Sequence, residues 1–243
     1  MDESFLKLEK KKLDNLSKTA VYVDSFQKKI LNKTLDYCNK YFNGGNVLIM
    51  GASEHGYEID KLIDKFEKID VIEGSSKIVK NLKLKYKNIN AKDILFEEFN
   101  SDKKYDLILM MHILEHVEDP DYILKKYSKF LEKNGKIIII VPNANSFHRL
   151  LGVEMELIKS QYDLTEGDLS IGHKRVFDYD SIKKCILNSN LKILEESGIL
   201  FKILPNSQLE KINLNKFQLN GLFNLGNKFM YNSSELLFVC GIN

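Results

Sequence analysis

The run Val47-Leu48-Ile49-Met50 enters Gly51 without a polar break, and a second apolar run, Asp70–Ile72, ends at Glu73. Between them Ile59, Leu62, Ile63 and Phe66 recur at helical spacing. Strand, helix and strand in this order define a βαβ unit with parallel strands. A small residue at the first strand end lets a ligand approach the backbone. A carboxylate about twenty residues on, at the next strand end, accepts hydrogen bonds from a ribose diol. The loop Gly51-Ala52-Ser53-Glu54-His55-Gly56 departs from the G-x-G-x-x-G spacing, with Ser53 at the second glycine. That departure disfavours a dinucleotide, whose pyrophosphate needs the closest backbone approach, and suits a nucleoside ligand without one.

The alternation continues along the chain. Val23, Phe26, Ile30 and Tyr37 mark a helix that stops before Asn43-Gly44-Gly45. A helix with Ile78, Val79 and Leu82 follows the second strand, and a short strand near Ile89 leads to Asp93. Tyr105–Met111 is apolar nearly throughout, as a strand covered on both faces should be. Asp119-Pro120 supplies an N-cap and first-turn proline for a helix over Asp121–Leu131, which Asn134-Gly135 ends before a fifth strand at Lys136–Val141. After Pro142 the rhythm lapses and resumes with a helix holding Ile182, Cys185 and Ile186. Strands at Leu191–Glu195 and Glu235–Cys240 complete the pattern. The predicted fold is α/β, a doubly wound, mostly parallel, seven-stranded sheet with a lid insertion after strand five.

The 243 residues fit one domain, and 44% hydrophobic residues supply a sizeable core. We divide it into an N-terminal helical cap (1–42), a cofactor-binding core (43–142), a lid or substrate insertion (143–178) and a C-terminal helix with the last two strands (179–243). The net charge of +2 gives no pull toward nucleic acid or anionic membrane. Three scattered cysteines suit a reducing cytoplasm. No apolar run reaches the about 18 residues of a membrane span. The expected setting is cytoplasmic, without membrane insertion or nucleic acid, with a homodimer left open. Leu209–Phe229 is rich in Leu, Phe and Asn and fits a lid, a dimer contact or plain packing equally.

Several further segments carry a resemblance. These are Leu95-Phe96-Glu97-Glu98-Phe99, His112-Ile113-Leu114-Glu115-His116-Val117-Glu118-Asp119-Pro120, Val141-Pro142-Asn143-Ala144 and Gly172-His173-Lys174-Arg175-Val176-Phe177. With the Gly-x-x-Glu-Gly-like loop, and in this order over residues 45–205, they resemble the class I S-adenosylmethionine-dependent methyltransferases. The likeness is to small bacterial members that look like tailoring enzymes of surface polysaccharides. It implies a Rossmann-like methyltransferase fold with S-adenosyl-L-methionine as cofactor and S-adenosyl-L-homocysteine as product. It implies that Gly51, Ala52 and Ser53 back the methionine portion, and that Glu73, with Gly74 and Ser75, holds the ribose. Asp93 and Ile94 would flank the adenine, Met111 and His112 would lie near the sulfonium, and Tyr22 is a candidate to close over the methionine. Ile49 stands where many relatives carry an acid directed at the methionine amine, and His55 where a glycine is usual.

His112-Ile113-Leu114-Glu115-His116 also spells H-x-x-E-H, a zinc-peptidase pattern. That pattern needs both histidines on one helical face, whereas His112 ends a strand, so no metal is expected. The catalytic candidates are His112, as base for a poorly acidic hydroxyl or as pocket wall, with Glu115 and His173. His116 is expected to be structural. His148-Arg149 and His173-Lys174-Arg175 gather donors suited to an anionic acceptor. The expected activity is O-methylation of a small, anionic acceptor, such as a phosphorylated or nucleotide-linked intermediate of capsular polysaccharide biosynthesis. The alternatives are a quinone or lipid-precursor methyltransferase and a non-catalytic protein that binds the cofactor.

Overall fold

The computed structural model describes residues 9–15, 25–53 and 55–242. Seven strands form one sheet: β1 (Asn46–Met50), β2 (Lys68–Glu73), β3 (Ile89–Asp93), β4 (Tyr105–Met111), β5 (Leu131–Pro142), β6 (Leu191–Ile199) and β7 (Glu235–Ile242). Their order is β3-β2-β1-β4-β5-β7-β6. The first five run parallel, and β7 is antiparallel to both its neighbours. The predicted strand order along the chain therefore stands, with longer strands than the apolar runs alone marked.

The central strands are continuously apolar over 47–50, 107–111 and 137–141, where both faces are covered. In β5, Ile138 and Ile140 face one core with Ile49, Leu109 and Val239, while Ile137 and Ile139 face the other with Met50, Met110 and Phe238. The first core is covered by α2 (Ser25–Cys38), α3 (Tyr57–Leu62), α4 (Ser76–Lys85), α9 (Asn206–Ile212) and α10 (Lys216–Lys228). The second is covered by α5 (Pro120–Ser128) and α8 (Tyr179–Asn188). Ahead of these, α1 is described over residues 9–15.

Two boundaries differ from expectation. α5 ends at Ser128, because the Tyr105 N–H donates to the Phe130 carbonyl and Leu131 already pairs with Tyr105. The register then shifts between Tyr105 and Leu107, which absorbs Asn134-Gly135 inside β5 instead of ahead of it. Residues 143–178 contain two short helices, α6 (Phe147–Glu154) and α7 (Glu166–Ser170), the latter closed by a reciprocal Thr165–Asp168 capping box. The ends of this insertion meet: Asn143 bridges Phe177, and the Ala144 N–H donates to the Phe177 carbonyl at 2.7 Å. Leu209 and Leu219 are buried in the first core, so the segment 209–229 packs against the sheet.

Candidate active site

The C-terminal ends of β1, β2 and β4 open onto a cavity of about 710 Å³. This is where the crevice of an open parallel sheet is expected. β1 terminates in Gly51 at φ +65°, a left-handed conformation that favours glycine. A Cβ there would stand 2.6 Å from Ile113 Cδ1. The loop then returns into α3 through Gly56, also at φ +65°. Glu58 in the first turn of α3 accepts from Ser53 Oγ at 2.8 Å and braces the loop from behind.

Glu73, half-buried at the end of β2, accepts the Ser75 N–H at 2.7 Å and the Ala52 N–H at 3.3 Å. Burial lifts its carboxyl from the ordinary 4.5 to about 7 despite these donors. Ser75 caps α4, and its hydroxyl donates to Asp14 Oδ1 at 2.7 Å, which ties α1 to the turn. Leu13 of α1 lies over Gly74, where a Cβ would meet Leu13 Cδ1 at 2.4 Å. Gly51, Ala52, Ser53, Glu73, Gly74 and Ser75 all line the cavity, as does Met111.

Two expected cofactor contacts fall elsewhere. The Asp93 carboxylate pairs with Lys10 Nζ at 3.0 Å and takes the Ser76 hydroxyl at 2.5 Å, and neither Asp93 nor Ile94 lines the cavity. Leu95, Phe96 and Glu97 form that wall instead. Their apolar-then-acidic order was visible in the sequence, but a turn after β3 gives no periodicity to say which residue faces inward. Tyr22 lies outside the described residues.

His112 lines the cavity from the end of β4 with φ +56°, uncommon for a residue with a Cβ, and its N–H donates to the Ile140 carbonyl at 2.9 Å. Its Nδ1 is 3.4 Å from Glu115 Oε1 and its Nε2 is 3.7 Å from Glu235 Oε2. Burial opposes its charge, but Glu235 and Glu115 outweigh burial and raise the imidazole to about 9. The two carboxylates beside it thus favour the charged, hydrogen-bond-donating form of His112. Glu235, at the start of β7, escaped sequence reasoning because nothing in a final strand links it to β4.

Glu115 is fully buried, and burial raises its carboxyl less than His112 and the other imidazoles lower it. His116, expected to be structural, lines the cavity. Burial holds its imidazole below the ordinary value, partly offset by Glu115. The H-x-x-E-H residues occupy a strand end and turn, so His112 and His116 do not share a helical face. Among the described residues, one group of side chains is placed to hold a cation: Glu115, His116 and His173. The sequence-based exclusion of metal considered only the His112–His116 pair and missed this set.

The basic residues expected to clamp an anionic acceptor are engaged by the protein itself. Arg149 is buried, donates from Nε to the Gln161 carbonyl at 2.8 Å and to the Asp163 carbonyl, and pairs with Asp168 at 3.1 Å. Arg175 donates to the carbonyls of Leu114, Val117 and Glu118. Lys174 lines the cavity but pairs with Glu118 at 2.5 Å. Burial, with Lys202 and Arg149 adding to it, lowers His148 to about 3, which keeps it neutral. His173 packs edge-on against His116, with 4.7 Å between ring centroids. These residues build the insertion and fix it to the 114–118 turn. The sequence shows their charge but not partners so far along the chain.

Known proteins place this architecture. The profile of a family described as a methyltransferase domain matches residues 28–196. The chain is 31% identical over 167 residues to a ubiquinone biosynthesis O-methyltransferase of Pelagibacter ubique, covering 68% of this chain and 60% of that protein. It is 28% identical over 108 residues to its namesake in Bartonella bacilliformis, covering 43% and 41%. The match thus spans less than two thirds of the length of these relatives. In fold it is similar to the N-methyltransferase NodS of Bradyrhizobium japonicum in complex with S-adenosyl-L-homocysteine, with a TM-score of 0.58, 12% identity and coverage of 89% and 87%. An S-adenosylmethionine-dependent methyltransferase of Mesorhizobium loti gives a TM-score of 0.61 at 11% identity, covering 86% and 95%.

Sheet order, glycine-ended β1 and the carboxylate at the end of β2 are the architecture of a methyltransferase domain. The chain belongs to the class I S-adenosylmethionine-dependent methyltransferases. Its cavity fits that cofactor: Glu73 carries the acceptor oxygens a ribose diol needs, and Gly51 leaves the space a side chain would fill. Among the described residues no helix is long and apolar enough to cross a membrane.

Proposed function

We propose that the protein methylates a hydroxyl of a small, largely apolar aromatic acceptor of the quinone-precursor class. The carrying observation is the commitment of Arg149 and Arg175 to backbone carbonyls and Asp168, which removes the clamp a phosphorylated or nucleotide-linked acceptor would need. What remains around the crevice is mainly apolar, with Phe96, Ile113, Val117, Tyr122 and Ile171 in its wall. The name of the Pelagibacter and Bartonella relatives agrees in direction with this choice. The capsular-polysaccharide reading has no comparable support.

When bound, S-adenosyl-L-methionine supplies an activated methyl group on a positive sulfur, so alignment is the enzyme's principal task. Glu73 would receive the ribose hydroxyls, the Gly51–Ser53 loop the methionine portion, and Met111 the region of the sulfur. Leu95 and Phe96 replace Asp93 and Ile94 as the adenine wall. α1, anchored by Asp14 to Ser75, covers the cofactor side, and the insertion brings Ile171 and Lys174 over the acceptor side as a lid. His112 would donate a hydrogen bond to the acceptor oxygen.

Transfer of labelled methyl from S-adenosyl-L-methionine tests this reading on prenylated catechols, simple catechols and nucleotide-linked sugars. Methylation of a catechol hydroxyl is expected, faster with a prenyl chain present. Transfer confined to nucleotide-linked sugars would refute it.

A further inference from the structure

Ser53 breaks the glycine spacing of the β1 loop, and the fold uses its hydroxyl to hold a carboxylate at the cavity wall. Its Oγ accepts the Tyr57 N–H at 3.1 Å and donates to Glu58 Oε2 at 2.8 Å. The Ser53 N–H reaches the same oxygen at 3.4 Å. The turn beneath is fixed as well. The Gly56 N–H donates to the Ser53 carbonyl at 2.9 Å, and the Tyr86 hydroxyl sits 2.8 Å from the Gly56 carbonyl. Glu58 is thus held in one place, 8% exposed, and it lines the cavity beside Ser53.

A carboxylate this buried is costly unless a cation or a full set of donors balances it. Both Ser53 donors go to Oε2, and burial raises the Glu58 carboxyl more than they lower it. Among the described residues, no lysine, arginine or histidine forms an ion pair with it. The other acids of the cavity wall are engaged or lie elsewhere. Glu118 pairs with Lys174 and Glu9 with Lys12. Glu73 accepts the Ser75 and Ala52 N–H groups at the end of β2, and Glu97 belongs to the wall that follows β3. β1 itself supplies no carboxylate, because Ile49 is buried in the first core.

We propose that Glu58 receives the α-ammonium group of S-adenosyl-L-methionine. The cofactor carries two positive centres, the sulfonium and the ammonium of its methionine portion. The sulfonium has no hydrogen to donate, whereas an ammonium brings both the missing charge and several donors. Such charge-assisted hydrogen bonds are about twice as strong as neutral ones. Glu58 then anchors the amino-acid end of the cofactor as Glu73 anchors its ribose, from opposite sides of the Gly51–Ser53 loop. The assignment rests on the placement of the methionine portion at that loop and is independent of the acceptor.

The test is calorimetric titration of the full chain and of Glu58→Gln with S-adenosyl-L-homocysteine, its deamino analogue, and methylthioadenosine, which lacks the amino-acid portion. Loss of the charged pair should weaken S-adenosyl-L-homocysteine about tenfold or more in Glu58→Gln. The deamino analogue and methylthioadenosine should bind both proteins equally, which also shows that the variant is folded. Equal weakening of every ligand would make Glu58 a brace of the loop alone and overturn the assignment. So would a wild-type preference for S-adenosyl-L-homocysteine over the deamino analogue that survives intact in Glu58→Gln. If the wild type binds S-adenosyl-L-homocysteine no better than methylthioadenosine, the placement of the methionine portion fails, and the assignment with it.

Discussion

Glu73 makes cofactor affinity depend on pH in a way its surroundings dictate. Its two oxygens already accept the Ser75 and Ala52 N–H groups, at 2.7 and 3.3 Å, yet burial keeps its carboxyl near 7 against an ordinary 4.5. A ribose diol donates hydrogen bonds and needs the ionised form. With ionisation centred near 7, the charged fraction falls from about ten-elevenths at pH 8 to about one-eleventh at pH 6. S-adenosyl-L-homocysteine should therefore bind about tenfold more weakly at pH 6, or ~1.4 kcal/mol. The unliganded fold responds with opposite sign. A carboxyl raised on folding means that the native state binds more protons, so its contribution to stability is full below about 4.5 and is lost as pH rises through about 7. Calorimetric titration at pH 6, 7 and 8, alongside thermal melts with and without ligand, reads both trends. Glu73→Gln should flatten the binding profile at a weaker overall affinity. A wild-type affinity independent of pH, or a slope that survives in Glu73→Gln, would refute the reasoning.

Gly51→Ala places a methyl 2.6 Å from Ile113 Cδ1 at φ +65°. The backbone penalty of ~1–2 kcal/mol should lower the melting temperature by only a few degrees. S-adenosyl-L-homocysteine affinity should fall more than tenfold, because the methyl also occupies cofactor space; calorimetry distinguishes the two effects. Arg149→Ala strands Asp168 and the Gln161 and Asp163 carbonyls, for a loss of ~3 kcal/mol by urea denaturation and faster proteolysis within 155–172. Arg149→Lys should not restore it, since an ammonium cannot reproduce the guanidinium fork.

The sheet was readable because 47–50, 107–111 and 137–141 are covered on both faces and therefore continuously apolar. Gly51 and Glu73 were readable because a strand end fixes where its last side chain lies. Asp93 also ends a strand, yet Lys10 and Ser76 engage it, and contacts with such distant residues leave no trace in local spacing. The same limit misassigned the basic residues of the insertion: composition marked them as anion donors, while the fold spends them on carbonyls and carboxylates. For His116 and Glu115, the zinc-peptidase spacing prompted a helical test, but their assembly with His173 passes through the 114–118 turn and needs the fold to be seen.

The paired ends of the 143–178 insertion bear on how enzymes of this kind diversify. Because Asn143 and Phe177 are stitched to each other, the sheet closes correctly whatever lies between them. Closure entropy changes by only ~0.6 kcal/mol for each doubling of loop length. The segment can therefore be lengthened, trimmed or exchanged between homologues while the strands that grip the methyl donor stay in register.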